Sequence, residues 1–511
     1  MNPLLPLFVI APLAAAFLIM IIGRFVSEFN KYFTSLVLLF LACLSFYFLF
    51  TTGENQFVYK VGGWEPVNKI PIGIYMVMDG FTAIIVCIIN LIGFLAAFYS
   101  ISYIKRYTAE NYFYALFCLM IAGMNGVVIS GDFFNIFVFL EISVISSYAL
   151  VAFGVEKEEL EASFKYQVLG ALASFLILIG IGLIYWKAKT LNIADIKTAF
   201  ANDYDKTYYT FVQILILSGF GLKAAIIPFH AWLPDAHSSA PSPISAMLSG
   251  VLIKAVGIYV IIRLFFNMFV ISESMSVLIT VLGTLSMVIG VFLAIGQWDI
   301  KRLLAYHSIS QMGYVVLAVG MGMVLISRGE RPEVAALAIT GGIFHLINHA
   351  AFKGLLFLNA GAIEYTIGTR NLKEMGGLAR SMPATSATSF VASMSISGIP
   401  PFNGFFSKLI IIVAAVMGRF YLLAALAVIV SVITLASFLK FQRYAFYNET
   451  DAKRDKVKEV PFPMIFSMVV LSVICLALSL LVIPEIREAV LTPAINILTD
   501  PAKYTSTIIG Q

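Results

Sequence analysis

Charge is scarce in this sequence. Of 511 residues, 12% are Asp, Glu, Lys or Arg, about half of the roughly 25% typical of soluble domains. That leaves too little charge to cover a water-facing surface and excludes a soluble globular chain. Cysteine is sparse too. Cys43, Cys87, Cys118 and Cys475 each stand alone in an apolar run, with no C-x-x-C. No iron–sulfur cluster or structural zinc is therefore expected, and the thiols read as small buried hydrophobes. The net charge of +5 is spread over loops without a basic stripe, which argues against nucleic acid as a partner. No cofactor motif or catalytic constellation stands out. No metal, cofactor, redox or hydrolytic chemistry is expected in the chain itself.

Apolar sequence, by contrast, is abundant, at 60% of residues. Runs of roughly 20 residues recur from end to end, the length a helix needs to cross a bilayer. About fourteen spans can be marked, among them 3–23, 133–153, 209–232, 243–268, 303–325, 334–360 and 386–416. The first run lacks a basic stretch before it and an A-x-A site after it, so it reads as a membrane helix rather than a signal peptide. The longest polar connections, 51–77, 187–208, 364–384 and 448–461, read as loops. Lys and Arg number 17 in odd-numbered connections, against 12 in even-numbered ones and the tail, where Arg263 and Lys69 are counted. By the positive-inside rule the odd connections are cytoplasmic and both termini lie outside. The excess rests largely on the 440–458 connection, which includes Lys453, Arg454 and Lys456.

Four lysines remain, all within spans: Lys223, Lys254, Lys353 and Lys408. Each costs about 2.5–3.5 kcal/mol or more at the bilayer centre. Lys223 and Lys254 have about ten apolar-rich residues on either side, roughly 15 Å of helix, which is too far for the side chain to snorkel to the interface. Lys353 and Lys408 lie nearer to helix breaks, where snorkelling is an alternative. Glu141 is also mid-span, and a buried carboxylate must be neutral or paired. Lys223 is its natural partner, and such a pair titrates as a unit. It could switch between paired and separated states, as a proton relay requires; a static ion pair is the alternative. Lysine suits such a relay because burial brings its neutral form within reach, whereas arginine stays charged. His345, His349 and Lys353 fall at i, i+4 and i+8, on one helix face. With no third ligand evident, a polar stripe lining water fits them better than zinc. His307 is a further candidate in the same zone. Two segments read as broken helices: AAIIPFHAWLPDAHSSAPSP, with Pro228 and Pro234, and SISGIPPFNGFFSK, with Pro400, Pro401 and Gly404. Paired interruptions mark ion sites in repeat-built transporters, suggesting one half-channel around Lys223 and another around Lys408.

VMDGFTA with Asp79, GDFFNIFVFLEI with Asp132 and Glu141, and the long GLKAAIIPFHAWLPDAHSSAPSPISAMLSGVLIKAVGIY run with Asp235 carry a resemblance. With AYHSISQMGY, HLINHAAFKGLLFLNAGAI and SGIPPFNGFFSKL, over about residues 75–445, they resemble the antiporter-like subunits shared by Mrp sodium/proton antiporters, membrane-bound hydrogenases and respiratory complex I. The resemblance implies an all-α polytopic membrane protein of about fourteen transmembrane helices with two inverted five-helix repeats and broken helices 7 and 12. It divides the chain into helices 1–3 (1–110), a first repeat (111–270), a second repeat (271–447), and helix 14 with the tail (448–511). It further implies a proton relay through Glu141, Lys223, Lys254, His307, His345, His349, Lys353 and Lys408, with Asp79, Asp132 and Asp235 as supporting acids. Lysine stands at position 408, where some relatives carry glutamate. GVEKEELEASFKYQVLGALASF and the short tail after Ile483 look most like the D-type Mrp subunit and its hydrogenase counterpart. Other membrane subunits in a cell-membrane assembly are the implied partners, with protons as the ion and sodium as a second candidate. A pump module of a hydrogenase or complex I-like enzyme, and a stand-alone secondary transporter, are the alternatives.

Overall fold

The structure, a computed structural model, describes residues 2–26, 28–53, 55–64, 73–202, 205–449 and 457–509. Lys69, Lys453, Arg454 and Lys456, which entered the charge count above, lie outside the described residues. Helices α1 (Leu7–Ile22) and α2 (Phe29–Thr52) lead into a hairpin in which β1 (Phe57–Lys60) pairs antiparallel with β2 (Tyr75–Met78). This corrects the expectation of a loop over 51–77 in an all-α chain. The aromatic and β-branched residues Phe57, Val58, Tyr59 and Val77 favour a pleated ribbon. Next come α3 (Gly80–Tyr103), α4 (Glu110–Ile129), α5 (Phe133–Val151) and α6 (Lys157–Ala188). The expected 187–208 loop holds a short helix, α7 (Ile193–Asn202), before α8 (Lys206–Lys223) and α9 (Trp232–Ser239). Aspartates cap several of these helices: Asp79 accepts from Thr82 N and Asp132 from Asn135 N, both at 2.8 Å, meeting donors the first turn leaves unpaired.

Helix α10 (Ser242–Met247) runs through two π-helical turns, Leu248–Leu252 and Lys254–Ile258, into α11 (Tyr259–Asn267). Helices α12 (Glu273–Ile295), α13 (Ile300–Arg328) and α14 (Pro332–Ile367) follow, then α15 (Leu378–Ser381), α16 (Pro383–Ser397), α17 (Asn403–Met417) and α18 (Tyr421–Gln442). The chain ends in α19 (Phe462–Ala477), α20 (Pro484–Val490), α21 (Thr492–Thr499) and α22 (Pro501–Ile509).

Among the described residues, eleven helices are long and apolar enough to cross a bilayer, and α1 and α17 are shorter apolar helices. The α10–α11 unit, α13 and α14 form the buried centre, while α6, α12, α18 and α19 face outward. Their outward surface is apolar, with Phe175, Phe292 and Leu422 exposed, as lipid contact requires. Small residues let the helices approach closely, the main means of packing where lipid offers no hydrophobic drive. A Cβ on Gly313 of α13 would stand 2.2 Å from Met287 N of α12, and one on Gly123 of α4 would stand 2.5 Å from Ser143 N of α5. Cys87, Cys118 and Cys475 are buried as expected, but Cys43 lies exposed on α2. Its flanks are equally apolar, so only packing distinguishes it.

Candidate functional site: a polar line through the bundle

Lys223 is the last residue of α8, where the helix breaks. Ala225 turns left-handed at φ 53° and Pro228 supplies no N–H. The freed backbone is met by protein: Ile227 N donates to Ser286 Oγ at 3.0 Å, and Trp232 Nε1 to Leu222 O at 2.9 Å. Backbone outside regular structure at membrane depth requires such partners. Lys223 is buried, with Nζ 3.8 Å from Glu141 Oε1. The Ser174 hydroxyl of α6 stands between them, donating to Glu141 at 2.5 Å and accepting from Lys223 at 3.1 Å. The structure thus brings the expected pair together through a serine that sequence reasoning missed. Glu141 keeps 30% of its side chain exposed, at the edge of the bundle.

At the centre, Lys254 and Lys353 are linked through α13. Lys254 Nζ donates to Ser249 O at 2.6 Å, and Lys353 Nζ to Leu304 O at 2.5 Å. Ser249 and Ser308 share a 2.6 Å hydrogen bond, and Ser308 donates to Leu304 O at 3.0 Å. Lys353 is fully buried and does not snorkel. His349 is buried within electrostatic reach of Lys254, Lys353, His345 and His237.

The second break separates α16 from α17. Gly398 is left-handed at φ 76° and Pro400 and Pro401 follow. Gly404 packs so closely that a Cβ would stand 1.8 Å from Ser395 O. Lys408 lies beyond the break but reaches back. Its buried Nζ donates to Ile396 O, in the last turn of α16, at 2.8 Å and sits 5.0 Å over the Tyr314 ring. His345 Nδ1 pairs with Ser407 Oγ at 3.0 Å, and Asn348 and Asn403 bond reciprocally beside it. His307 lies to one side, its Nε2 2.8 Å from Ser437 Oγ of α18.

Several buried atoms on this line make no hydrogen bond among the described residues: both ring nitrogens of His237 and of His349, Nε2 of His345, Nδ1 of His307 and the Gln311 amide. Such atoms cost several kcal/mol each in a dry membrane interior, and buried water is the usual remedy. Among the described residues, no group of three His, Cys, Asp or Glu is placed to hold a metal.

The acids are elsewhere. Asp79 is fully buried against Arg263, with two 2.8 Å contacts. Arg263 therefore belongs to the interior of α11 and not to a loop, because Asp79 compensates its charge. Asp132 caps α5 outside the spans, where burial pushes its carboxyl up to about 6. Asp235 pairs with Lys165 at 3.0 Å and Arg302 at 2.8 Å. Pro234 falls inside the first turn of α9, not in the break. One further pair was missed: Lys301 Nζ lies 2.8 Å from Glu364 Oε2 and 3.2 Å from Ala240 O. It lines a polar cavity of about 710 Å3 with Glu156, Asp299 and Arg370. His237 was missed as well, although it stands within the proline-rich run that marks the first break; Ser174, Ser249 and Ser308 were not singled out, being hydroxyls in membrane helices.

A family model described as NADH:quinone oxidoreductase/Mrp antiporter, TM, matches residues 130–434. The chain belongs to this family. A second model, NADH-Ubiquinone oxidoreductase (complex I), chain 5 N-terminus, matches 64–114. The D-type subunit of the Na(+)/H(+) antiporter from Alkalihalophilus pseudofirmus is 36% identical over 393 residues, 77% of this chain and 76% of that relative. A chain of the Mrp complex from Dietzia sp. DQ12-45-1b superposes with TM-score 0.89 at 29% identity, covering 99% of both. A chain of the archaeal membrane-bound sulfane sulfur reductase does so with TM-score 0.89 at 28% identity, over 99% of this chain and 100% of that one. The protein is thus a multi-pass, antiporter-like membrane chain.

Proposed function

We propose that this chain conducts protons along the polar line as one subunit of a multi-subunit membrane assembly. The relay runs from Glu141 and Lys223, through Lys254, His349 and Lys353, to His345 and Lys408, with water at the unpartnered histidine nitrogens. One observation carries this reading. Lys254, Lys353 and Lys408 are buried, yet among the described residues each meets only one hydrogen-bond acceptor, a backbone carbonyl. An ammonium has three donors to satisfy, so these sites suit a neutral amine that takes and returns a proton. A fixed structural cation would be given a carboxylate, as Arg263 is by Asp79.

The Lys301–Glu364 cavity, lined by Ser239 and Ala240 close in the chain to His237, is the proposed entrance for water from one membrane face. The proposed reading counts fourteen spans, the eleven long helices joined by α1, α8–α9 and α16–α17. It groups 111–270 and 271–447 as inverted repeats. A left-handed residue three positions before a Pro-Phe pair in both breaks, Ala225 before Pro228 and Gly398 before Pro401, supports that grouping. The multi-subunit setting rests on the relatives, solved as an Mrp complex and a respiratory membrane complex. Both termini are assigned outside, on the charge count.

The test is the intact complex reconstituted in vesicles. Lys254→Met is expected to abolish proton movement while subunit composition stays unchanged. Wild-type proton flux in this variant would refute the relay. Sodium flux without proton flux in the wild type would replace the proton by sodium.

A further inference from the structure

Opposite the polar face of α14 lies a cavity of about 380 Å3 whose lining is almost wholly apolar. Ile347, Ala350 and Ala351 form its floor, and Leu471, Leu481 and Ile486 are among its walls. On α14, Ile347 and Ala351 point away from His345, His349 and Lys353 by the 3.6-residue period of the helix, and Ala350 lies on the flank between the two faces. The mouth opens outward, since Phe46 and Leu480 of the rim are exposed while Ala350 and Leu471 are buried. Most of the walls belong to α2, α3, α14 and α19, all apolar enough to cross a bilayer, and α20 closes one end. The cavity therefore opens onto hydrocarbon.

We infer that this cavity binds one acyl chain of a membrane phospholipid, with the lipid phosphate held at Arg487. A neighbouring transmembrane helix does not fit, because a single turn about 5.4 Å long and about 10 Å across already fills roughly 400 Å3. A quinone head would bring carbonyls into a lining that offers them no donors, at a cost its tail would have to offset. A flexible hydrocarbon chain has neither problem and is the solvent at the mouth. At the outer end stands α20. Its Ile486 and Val490 line the cavity, and Arg487 lies three positions before Val490, on the adjoining face. Arg487 is partly buried, whereas Glu485 and Glu488 are exposed and lie farther round the helix from the cavity. The helix begins at Pro484, directly after α19 ends its crossing, and an arginine at that level is placed for a headgroup phosphate. The chain would fill the space behind the helix segment that carries the two histidines and Lys353.

The inference is tested by lipid retention in the intact complex. Wild-type complex, washed extensively with detergent, is analysed by native mass spectrometry and lipid extraction. One phospholipid per copy of this chain is expected to survive the wash. Ala351→Trp, which fills the floor, and Ile486→Trp, which closes the mouth, are each expected to remove it. Arg487→Gln is expected to shorten its residence several-fold. Should Ala351→Trp fail to assemble, the mouth variant decides. No retained lipid in the wild type, a quinone in its place, or retention undiminished by the tryptophans would each overturn the inference. The readout is lipid and not transport, so it stands or falls apart from the proton relay.

Discussion

A proton-carrying side chain must be comfortable in two charge states, and the surroundings of each buried lysine can be read in that light. Lys223 has a carboxylate 3.8 Å away and a serine hydroxyl between. The hydroxyl can donate to one partner while accepting from the other, so it couples the pair without locking it. Ser174→Ala is expected to slow proton transfer about tenfold or more, less than the roughly hundredfold or greater worth of a positioned acid or base because Ser174 only bridges the pair, with assembly intact; flux assays in vesicles check this. Asp132 supplies a pH test. Its folded carboxyl titrates near 6 against an ordinary 3.8, because burial disfavours the anion. A raised folded pKa means stability that is full below the unfolded value and lost as pH rises through the folded one. The stability of wild type, read by thermal unfolding, should therefore fall as pH rises between about 4 and 6, by on the order of 2 kcal/mol. Asp132→Asn, which still caps the helix, should be flat there; equal slopes would sink the assignment. The lysines and Glu141 were legible because charge in hydrocarbon is costly and demands a reason. The serines were not, since a hydroxyl in a membrane helix can bond its own backbone, as Ser308 also does.

At the scale of elements, the breaks depend on close packing as much as on proline. Gly404 leaves no room for a methyl group against Ser395 O. Gly404→Ala should therefore push α17 away from α16 and lower the melting temperature of the purified chain by several degrees, whereas Gly296→Ala, with nothing within 4 Å of the added carbon, should leave it unchanged. Equal melting shifts would show that the close approach is not a constraint. The broken segments were visible from their prolines and glycines. The hairpin of β1 and β2 and the short α7 were not, because each is brief and its packing partners are distant in sequence. Tyr75 O, for instance, accepts from Gly131 N at 2.8 Å.

Across the whole molecule, the Asp79–Arg263 pair ties α3 to α11, and the Tyr504 ring of α22 lies 5.0 Å from the guanidinium. The first helices, the central unit and the tail therefore meet at one buried charge. Asp79→Asn leaves Arg263 uncompensated and should cost about 3–5 kcal/mol, read as loss of folded protein after extraction. Arg263→Met in the same chain should recover part of it; no recovery would argue against an electrostatic origin. By sequence alone Arg263, close to the end of the 243–268 run, is counted with the connection that follows, because arginine so near the end of an apolar run usually sits at the interface, and only tertiary contact reveals its partner.

The ends of the broken helices carry a consequence for the shape of the path. Lys223 closes α8 and Lys408 reaches the last turn of α16, so both amines sit where a helix presents its carbonyl pole, worth roughly half a negative charge. Lys254 and Lys353 lie in mid-helix, without such help. A proton crossing the molecule would thus meet two shallow wells separated by a central ridge. On the proposed relay, traffic would be governed at that summit, where the fewest protons rest and the smallest disturbance has the largest effect.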